Sequence, residues 1–341
     1  ITRVSPIEID TGAGVVWVVA TATDEGLTVV ATLEDGSAVE VAVTGSGPGD
    51  PVLLGGAVAG PPVVSFGSDT RALIAPDPDA PAPSLVTDGV VWWTASDGSL
   101  HRDDEPLGLV GLPDGRFVVA ADGSIAVLTD PTTRYPHGVL GDDVEAGSVT
   151  ILEPDGGVRS VIDVDGVVEG ISPLWADLDG HGSDELIVTV SDAADGARIV
   201  VFDAEGLIVA SGEPIGTGNR WRHQIGTVRD PFGTRAIVVV KTPHIGGIAE
   251  YWRLSQDRLE LIDARAGITS HRLGSRNLDL AVIVDADGDG VEELIAPTGD
   301  LQELIGLFLT EDGVGESWRV SLPAPLASNL HTTTDDGGAW L

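Results

Sequence analysis

The amino-acid sequence predicts an all-β fold assembled from repeated strand–loop–strand units, on three observations. Val, Ala, Gly and Asp dominate the 341 residues, and no long amphipathic helical pattern runs through them. Short apolar runs alternate instead with Asp-Gly and Glu-Asp-Gly turns, as in meandering antiparallel strands. An acidic loop between apolar runs occurs twice, and a shortened copy stands midway between the two.

The clearest loop is Asp285-Ala286-Asp287-Gly288-Asp289-Gly290-Val291-Glu292-Glu293, with Leu280 to Val284 before it and Leu294 to Ala296 after it. Asp285, Asp287, Asp289 and Glu293 take positions 1, 3, 5 and 9, and the carbonyl of Val291 falls at position 7. Such an oxygen set surrounds one hard cation. Gly288 and Gly290 permit the positive φ of a tight turn. Four acids this close repel one another unless a cation sits among them. An EF-hand loop shares the first half of the pattern but needs a bidentate Glu at position 12, between helices. Here position 12 is Ala296 and the flanks are β-like, so the spacing predicts a calcium loop between two strands.

The same grammar starts 108 residues earlier, with Asp177, Asp179, His181, Ser183 and Glu185, and His181 stands where the later loop has Asp289. The competing reading of both loops is a tight Asp-Gly turn that binds nothing. Between them, Asp230-Pro-Phe-Gly-Thr234 before apolar Ala236 to Val240 repeats the frame without the acids, which sets a period near 54 residues.

Asp-x-Asp-Gly-x-Gly-x-x-Glu-Leu resembles the signature of FG-GAP/VCBS repeats, the calcium-loop β-propeller blades also found in integrin α heads. The segments Arg134 to Gly141, Arg222 to Gly226, Thr242 to Gly247 and Ser270 to Arg276 look like those of bacterial VCBS-repeat proteins. The calcium-loop likeness covers residues 170 to 310, and weaker matches extend it back to about residue 130. The resemblance implies a β-propeller across residues 1 to 341 and one or two Ca2+ ions. It implies no particular reaction.

In chain order, residues 1 to 13 read as a lone strand, Ser5 to Asp10, ending at Gly12. A lone terminal strand is what a propeller uses to complete a blade begun by the other terminus. Val15 to Val43 holds three strand-like runs, and Thr44 to Pro51 is a surface loop. Val63 to Ala75 reads as a degenerate blade start, and Pro76 to Pro83 as an extended loop. Val90 to Thr94 and Ser99 to Arg102 form a hairpin across Asp97-Gly98. Leu109 to Leu128 makes a further meander with turns at Asp114-Gly115 and Asp122-Gly123. Ala197 to Asp203 pairs with Leu207 to Ala210, and Ser317 to Leu341 supplies short strands. Blade starts near 14, 62, 107, 170, 225 and 272 give a seven-bladed count, the seventh closed by pairing of N- and C-terminal strands, with six or eight as alternatives. The calcium-loop blades span about 170–224 and 272–321, and the degenerate blade about 225–271.

Charge and composition bound the function. A net charge of −36 and a pI near 4.1 argue against nucleic acid and anionic membrane surfaces as partners, and suit calcium capture. The absence of Cys excludes disulfides, thiol catalysis and Cys-based zinc sites. No run of 18 apolar residues predicts a membrane span. With no Met and with Ile1 first, the chain reads as processed, consistent with signal-peptide removal and export to a bacterial periplasm or cell surface.

Residues 220 to 276 hold ten of the 18 Lys and Arg and three of the seven His. His223 and His271 are each followed by x-Ile/Leu-Gly and each stands at the start of a blade, so equivalent placement converges them at the mouth of a central channel. His137 and His244 are further members of the set. Arg222, Arg272 and Arg276 complete a candidate funnel for an anion or a docked protein. The bland alternative pairs these side chains with the many acids. A zinc site lacks close His spacing. No Gly-x-Ser-x-Gly, His-Glu-x-x-His or phosphate-loop motif occurs. Tandem Trp92-Trp93 places one indole in the core and the other outward. The reading is therefore non-enzymatic: a calcium-binding interaction module or accessory subunit. The alternative is a polysaccharide lyase or hydrolase, or a carbohydrate-binding protein, using the Arg/His funnel.

Overall fold

The computed structural model describes residues 7–23, 25–55, 60–61, 63–64, 72–73, 77, 79–286, 288–335 and 338–341, and every regular element among them is a strand. Among the described residues six antiparallel four-stranded meanders follow one another, the third and fourth joined into one eight-stranded sheet by pairing of Val167 with Ser191 and Val168 with Val190. The first runs Val15–Thr23, Gly26–Leu33, Ala38–Thr44 and Gly47–Pro48, with Val52–Leu54 also pairing its third strand. The second runs Leu85–Thr87, Val90–Thr94, Ser99–Arg102 and Glu105–Val110. The third is Val118–Val119, Ile125–Thr132, Glu145–Leu152 and Val158–Val168, and the fourth Leu174–Ala176, Glu185–Ser191, Arg198–Phe202 and Ile208–Ser211. The fifth is Arg222–Arg229, Arg235–Lys241, Ile248–Ser255 and Arg258–Ala266, and the sixth Val282–Val284, Glu293–Pro297, Glu303–Thr310 and Gly313–Ser321. Two short hairpins complete the set, Val63–Val64 with Ala72–Leu73 and Thr333–Asp335 with Gly338–Trp340.

The second strands explain the stacking. Glu185–Ser191 is buried at every position, so it cannot be a one-sided amphipathic strand. Its side chains alternate between two cores. Leu186, Val188 and Val190 join Leu128, Val149 and Ile151 of the third meander, whereas Ile187 joins Ile237, Val239 and Trp252 of the fifth. Val238 and Val240 in turn meet Leu294, Ala296 and Leu307 of the sixth. The fourth and fifth meanders are thus layers covered on both faces by their neighbours, as propeller blades are. Because both faces are apolar, the central strands read as unbroken Val/Ile/Leu runs instead of alternating.

The short first strands lie innermost, and the topology separates two ends of the stack. Residues leading into the first strands share one face with the loops between second and third strands. The acidic loops, which join first to second strands, lie on the opposite face.

Two expectations are corrected. The blade boundary expected near residue 107 falls inside Glu105–Val110, which pairs with Ser99–Arg102, so that meander begins at Leu85. Of the expected N-terminal strand, residues 5 and 6 lie outside the described residues, and residues 7 to 10 adopt no strand. Pairing of the terminal strands falls partly on residues 1–6, outside the described residues; among those described, the C-terminal segment meets the first meander through a side-chain clasp. Val18 N–H donates to Asn329 Oδ1 (2.8 Å), Asn329 Nδ2 donates to Val18 O (2.7 Å) and His331 Nε2 donates to Ala20 O (3.0 Å). Asn329 thereby presents a strand-like donor and acceptor to the first strand of the chain. Val90–Thr94 and Ser99–Arg102 do pair across Asp97-Gly98, with Trp92 buried and Trp93 stacked on His101 at 4.1 Å.

Candidate functional site

The two acidic loops have one backbone design. Asp177 accepts from Gly180 N–H (2.7 Å) and Gly182 N–H (3.0 Å), and Asp285 accepts from Gly288 N–H (2.8 Å) and Gly290 N–H (2.9 Å). Glu185 accepts from Leu178 N–H and Glu293 from Ala286 N–H, 2.8 and 2.9 Å respectively. The glycines sit at φ of 76° and 86° in one loop and 75° and 88° in the other, a region that non-glycine residues rarely occupy. Carboxylate oxygens of Asp177, Asp179 and Glu185 lie within 4.8 Å of one another, a spacing that suits a shared Ca2+. Burial pushes the Glu185 carboxyl upward, and the neighbouring Asp179 and Asp177 push it further, as expected for acids gathered without a counter-ion. His181 turns outward, 82 % exposed, with Nδ1 against Asp179 Oδ2 at 2.8 Å, and Ser183 is exposed. In the later loop Val291 N–H donates to Asp289 Oδ1 (2.8 Å), and Asp287 lies outside the described residues.

The fifth meander shows how the frame is held without clustered acids. Asp230 accepts from Phe232 N–H (2.9 Å), Thr234 N–H (3.0 Å) and Thr234 Oγ1 (2.7 Å), and Arg253 Nη2 reaches its Oδ2 at 2.6 Å. Here a guanidinium supplies the positive charge beside the carboxylate.

On the opposite face three of the four predicted histidines, His223, His244 and His271, gather around Trp221, and the fourth, His137, lies against Tyr135 and Glu169. His223 stacks on its indole at 4.9 Å and shares a hydrogen bond with Ser270 Oγ at 2.8 Å. His271 Nε2 donates to Ser275 O (2.6 Å), which leaves Nδ1 to accept from His244 Nε2 at 2.7 Å. His137 Nδ1 contacts Glu169 Oε1, whose other oxygen accepts from Ser191 Oγ. Burial holds the His223 imidazole well below its ordinary range and brings His271 down to about 4. Both rings are therefore neutral at physiological pH.

The arginines of the expected funnel do not share that setting. Arg222 is buried, bonded to Glu250 Oε2 at 3.1 Å and to the carbonyls of Ala197 and Glu213. Arg276 pairs with Asp142 at 2.5 Å, and Arg272 is exposed. Arg235, Lys241, Arg253, Arg258 and Arg265 each pair with a carboxylate.

Inward of the histidines lies a polar cavity of about 160 Å3, lined from four successive meanders. Arg116 precedes the third, Glu169 and Ser172 precede the fourth, His223 and Gln224 open the fifth, and Asp279 precedes the sixth. Arg116 N–H donates to Ile171 O (2.8 Å) and its Nη1 donates to Asp279 Oδ1 (2.6 Å), tying the third meander to the fourth and sixth. Sequence reasoning found His223 here and missed Arg116, Glu169, Gln224 and Asp279. The usable signal was position: each leads into or opens a blade's first strand, the register already noticed for the histidines.

No protein-family model matches the chain, and no curated protein matches it. Among solved structures, the chain is similar to the WD40 domain of Toxoplasma gondii coronin, with 9% identity over 94% of this chain and 78% of that one, at a TM-score of 0.50. It is also similar to BBS1N in complex with ARL6DN, with 12% identity over 94% and 86%, again at 0.50. BamB from Moraxella catarrhalis aligns with 13% identity over 88% and 84%, at 0.49. At these identities the likeness is one of fold, and it agrees with the blade stacking: the chain has a β-propeller arrangement.

Proposed function

We propose that the chain is an exported, calcium-stabilised β-propeller of FG-GAP/VCBS kind that works without catalysis as a protein-interaction module, an accessory subunit of a larger extracytoplasmic assembly. In this reading the propeller has seven blades, the six meanders and a seventh completed around the termini. One or two Ca2+ ions are held by Asp285, Asp289 and Glu293 and by Asp177, Asp179 and Glu185, and they stiffen one face. The histidine face docks the partner.

The observation that carries the docking assignment is a pair of outward aliphatics. Ile245 and Leu273 are 76% and 71% exposed, on two loops joined by the His244–His271 hydrogen bond. The buried His271 ring and the half-buried His244 ring tie the loops together, and the apolar tips gain nothing from folding. Rigid loops with exposed apolar ends match the centre of an interface better than a solvated surface. The solved complex of BBS1N with ARL6DN is one fold neighbour captured with a partner. A lyase, hydrolase or carbohydrate-binding reading would use the same face. Docking is favoured because Arg222 and Arg276 are committed to Glu250 and Asp142, and neither His223 nor His271 is bonded to an acid.

The test is the native mass of the protein extracted from its source, with calcium and again with chelator. A mass well above 35.1 kDa, lost in an Ile245→Asp, Leu273→Asp double variant, is expected. A monomer under both conditions defeats the subunit reading.

A further inference from the structure

We propose that the axial cavity binds a small zwitterionic carboxylate, an amino acid of alanine or serine size, between Arg116 and Gln224. Arg116 is the anchor. Its Nη1 is committed to Asp279, but Nε and Nη2 are buried and have no hydrogen-bond partner among the described residues. These two nitrogens form one edge of the guanidinium, the edge that receives a carboxylate through two parallel bonds. A buried cationic donor left unpaired is costly, so a ligand that takes both N–H groups gains more here than at an exposed arginine.

Gln224 supplies the second feature. Its Nε2 donates to Ser172 O at 2.8 Å, which fixes the amide, while its buried Oε1 has no partner among the described residues. That oxygen asks for a donor. The charges of the lining decide which kind. Asp279 and Glu169 both border the cavity with Arg116, so a simple anion would meet two carboxylates. A ligand that brings its own positive charge does not. Its ammonium is placed to donate to Gln224 Oε1 and to face Asp279, while its carboxylate takes the Arg116 edge. Glu169 is already engaged through both oxygens, one with His137 and one with Ser191. A volume of about 160 Å3 sets the size. A cavity near 150 Å3 holds benzene, about six heavy atoms, and alanine has that many.

This inference does not rest on the docking reading, because neither Ile245 nor Leu273 lines the cavity. The experiment is calorimetric titration of the intact protein with glycine, L-alanine and L-serine. L-lactate, which lacks the ammonium, and ethylamine, which lacks the carboxylate, are titrated beside them. The amino acids are expected to bind at least tenfold more tightly than either control. Arg116→Lys keeps a charge for Asp279 but loses the edge, and Gln224→Met loses the acceptor. Each is expected to weaken L-alanine at least tenfold. Should Arg116→Lys lose its cooperative melting, Gln224→Met carries the test alone. Lactate binding as tightly as alanine, unchanged affinity in the folded variants, or no heat with any amino acid overturns the proposal.

Discussion

Glu145 allows one prediction to be worked through. It opens the third strand of the third meander, is buried, and its Oε2 has no partner among the described residues. Burial first, and then the Glu169 carboxylate, push its pKa up to about 9 from an ordinary 4.5. The folded protein therefore keeps a proton between those values that the unfolded chain releases, and stability falls as pH rises through that window. At pH 7 the unfolded group is about 2.5 pH units past its midpoint, and at about 1.4 kcal/mol per unit the folded state forgoes about 3 kcal/mol. Glu145→Gln keeps the shape and removes the titration. It should stabilise the protein by about 3 kcal/mol at pH 7 and by nothing at pH 4. With an unfolding entropy of about 2.1 cal/mol/K per residue, the gain at pH 7 is a rise of about 4 °C in melting temperature. The assay is thermal melting of both proteins at half-unit steps from pH 4 to pH 9. Parallel curves, or a gap that closes as pH rises, would refute the reasoning.

Calcium at 100 times its dissociation constant should add about 2.7 kcal/mol, so chelation should lower the melting temperature by about 4 °C, and a combined Asp177→Asn, Asp285→Asn variant should lose that response. Truncating Asn329 to Ala should cost about 1–3 kcal/mol, because Val18 loses a donor and an acceptor together; faster amide exchange at Val18 and Ala20 is the check, and unchanged protection there would dismiss the clasp. Acid should destabilise through His271, whose folded pKa is about 4 against 6.5 unfolded, and through His223. The His271 contribution is complete above pH 6.5 and is lost as pH falls toward 4, so His271→Gln should flatten the pH–stability curve in that window. Arg253→Met should cost about 3 kcal/mol by leaving the buried Asp230 carboxylate unpaired, and a melting curve matching wild type would dismiss that pair.

The acidic loops were legible because everything that shapes them is local. Asp177 bonds Gly180 and Gly182, Asp285 bonds Gly288 and Gly290, and no contact in the frame spans more than about nine residues. The strand runs were legible for the same reason, since Asp-Gly turns and β-branched runs act within a hairpin. Boundaries were less so. Glu105–Val110 reads equally well as the last strand of one meander or the first of the next, and only its pairing with Ser99–Arg102 decides. The C-terminal clasp was invisible because an Asn that imitates a strand leaves no periodicity.

By itself, then, the sequence determined that the chain is all-β, that three loop frames, at Asp177, Asp230 and Asp285, recur near 54 residues apart, and that two loops gather carboxylates around glycines at positive φ. Tertiary structure alone decided which charges are spent and which face the axis. Arg222 looked like a funnel residue and is consumed by Glu250, while Arg116, 163 residues from Asp279 in sequence, meets it at the wall of the polar cavity. The physical reason is range. Turn chemistry and hydrophobic period act over a few residues, but the partners of a buried charge are set by how successive blades stack about a common axis, and no local pattern encodes that.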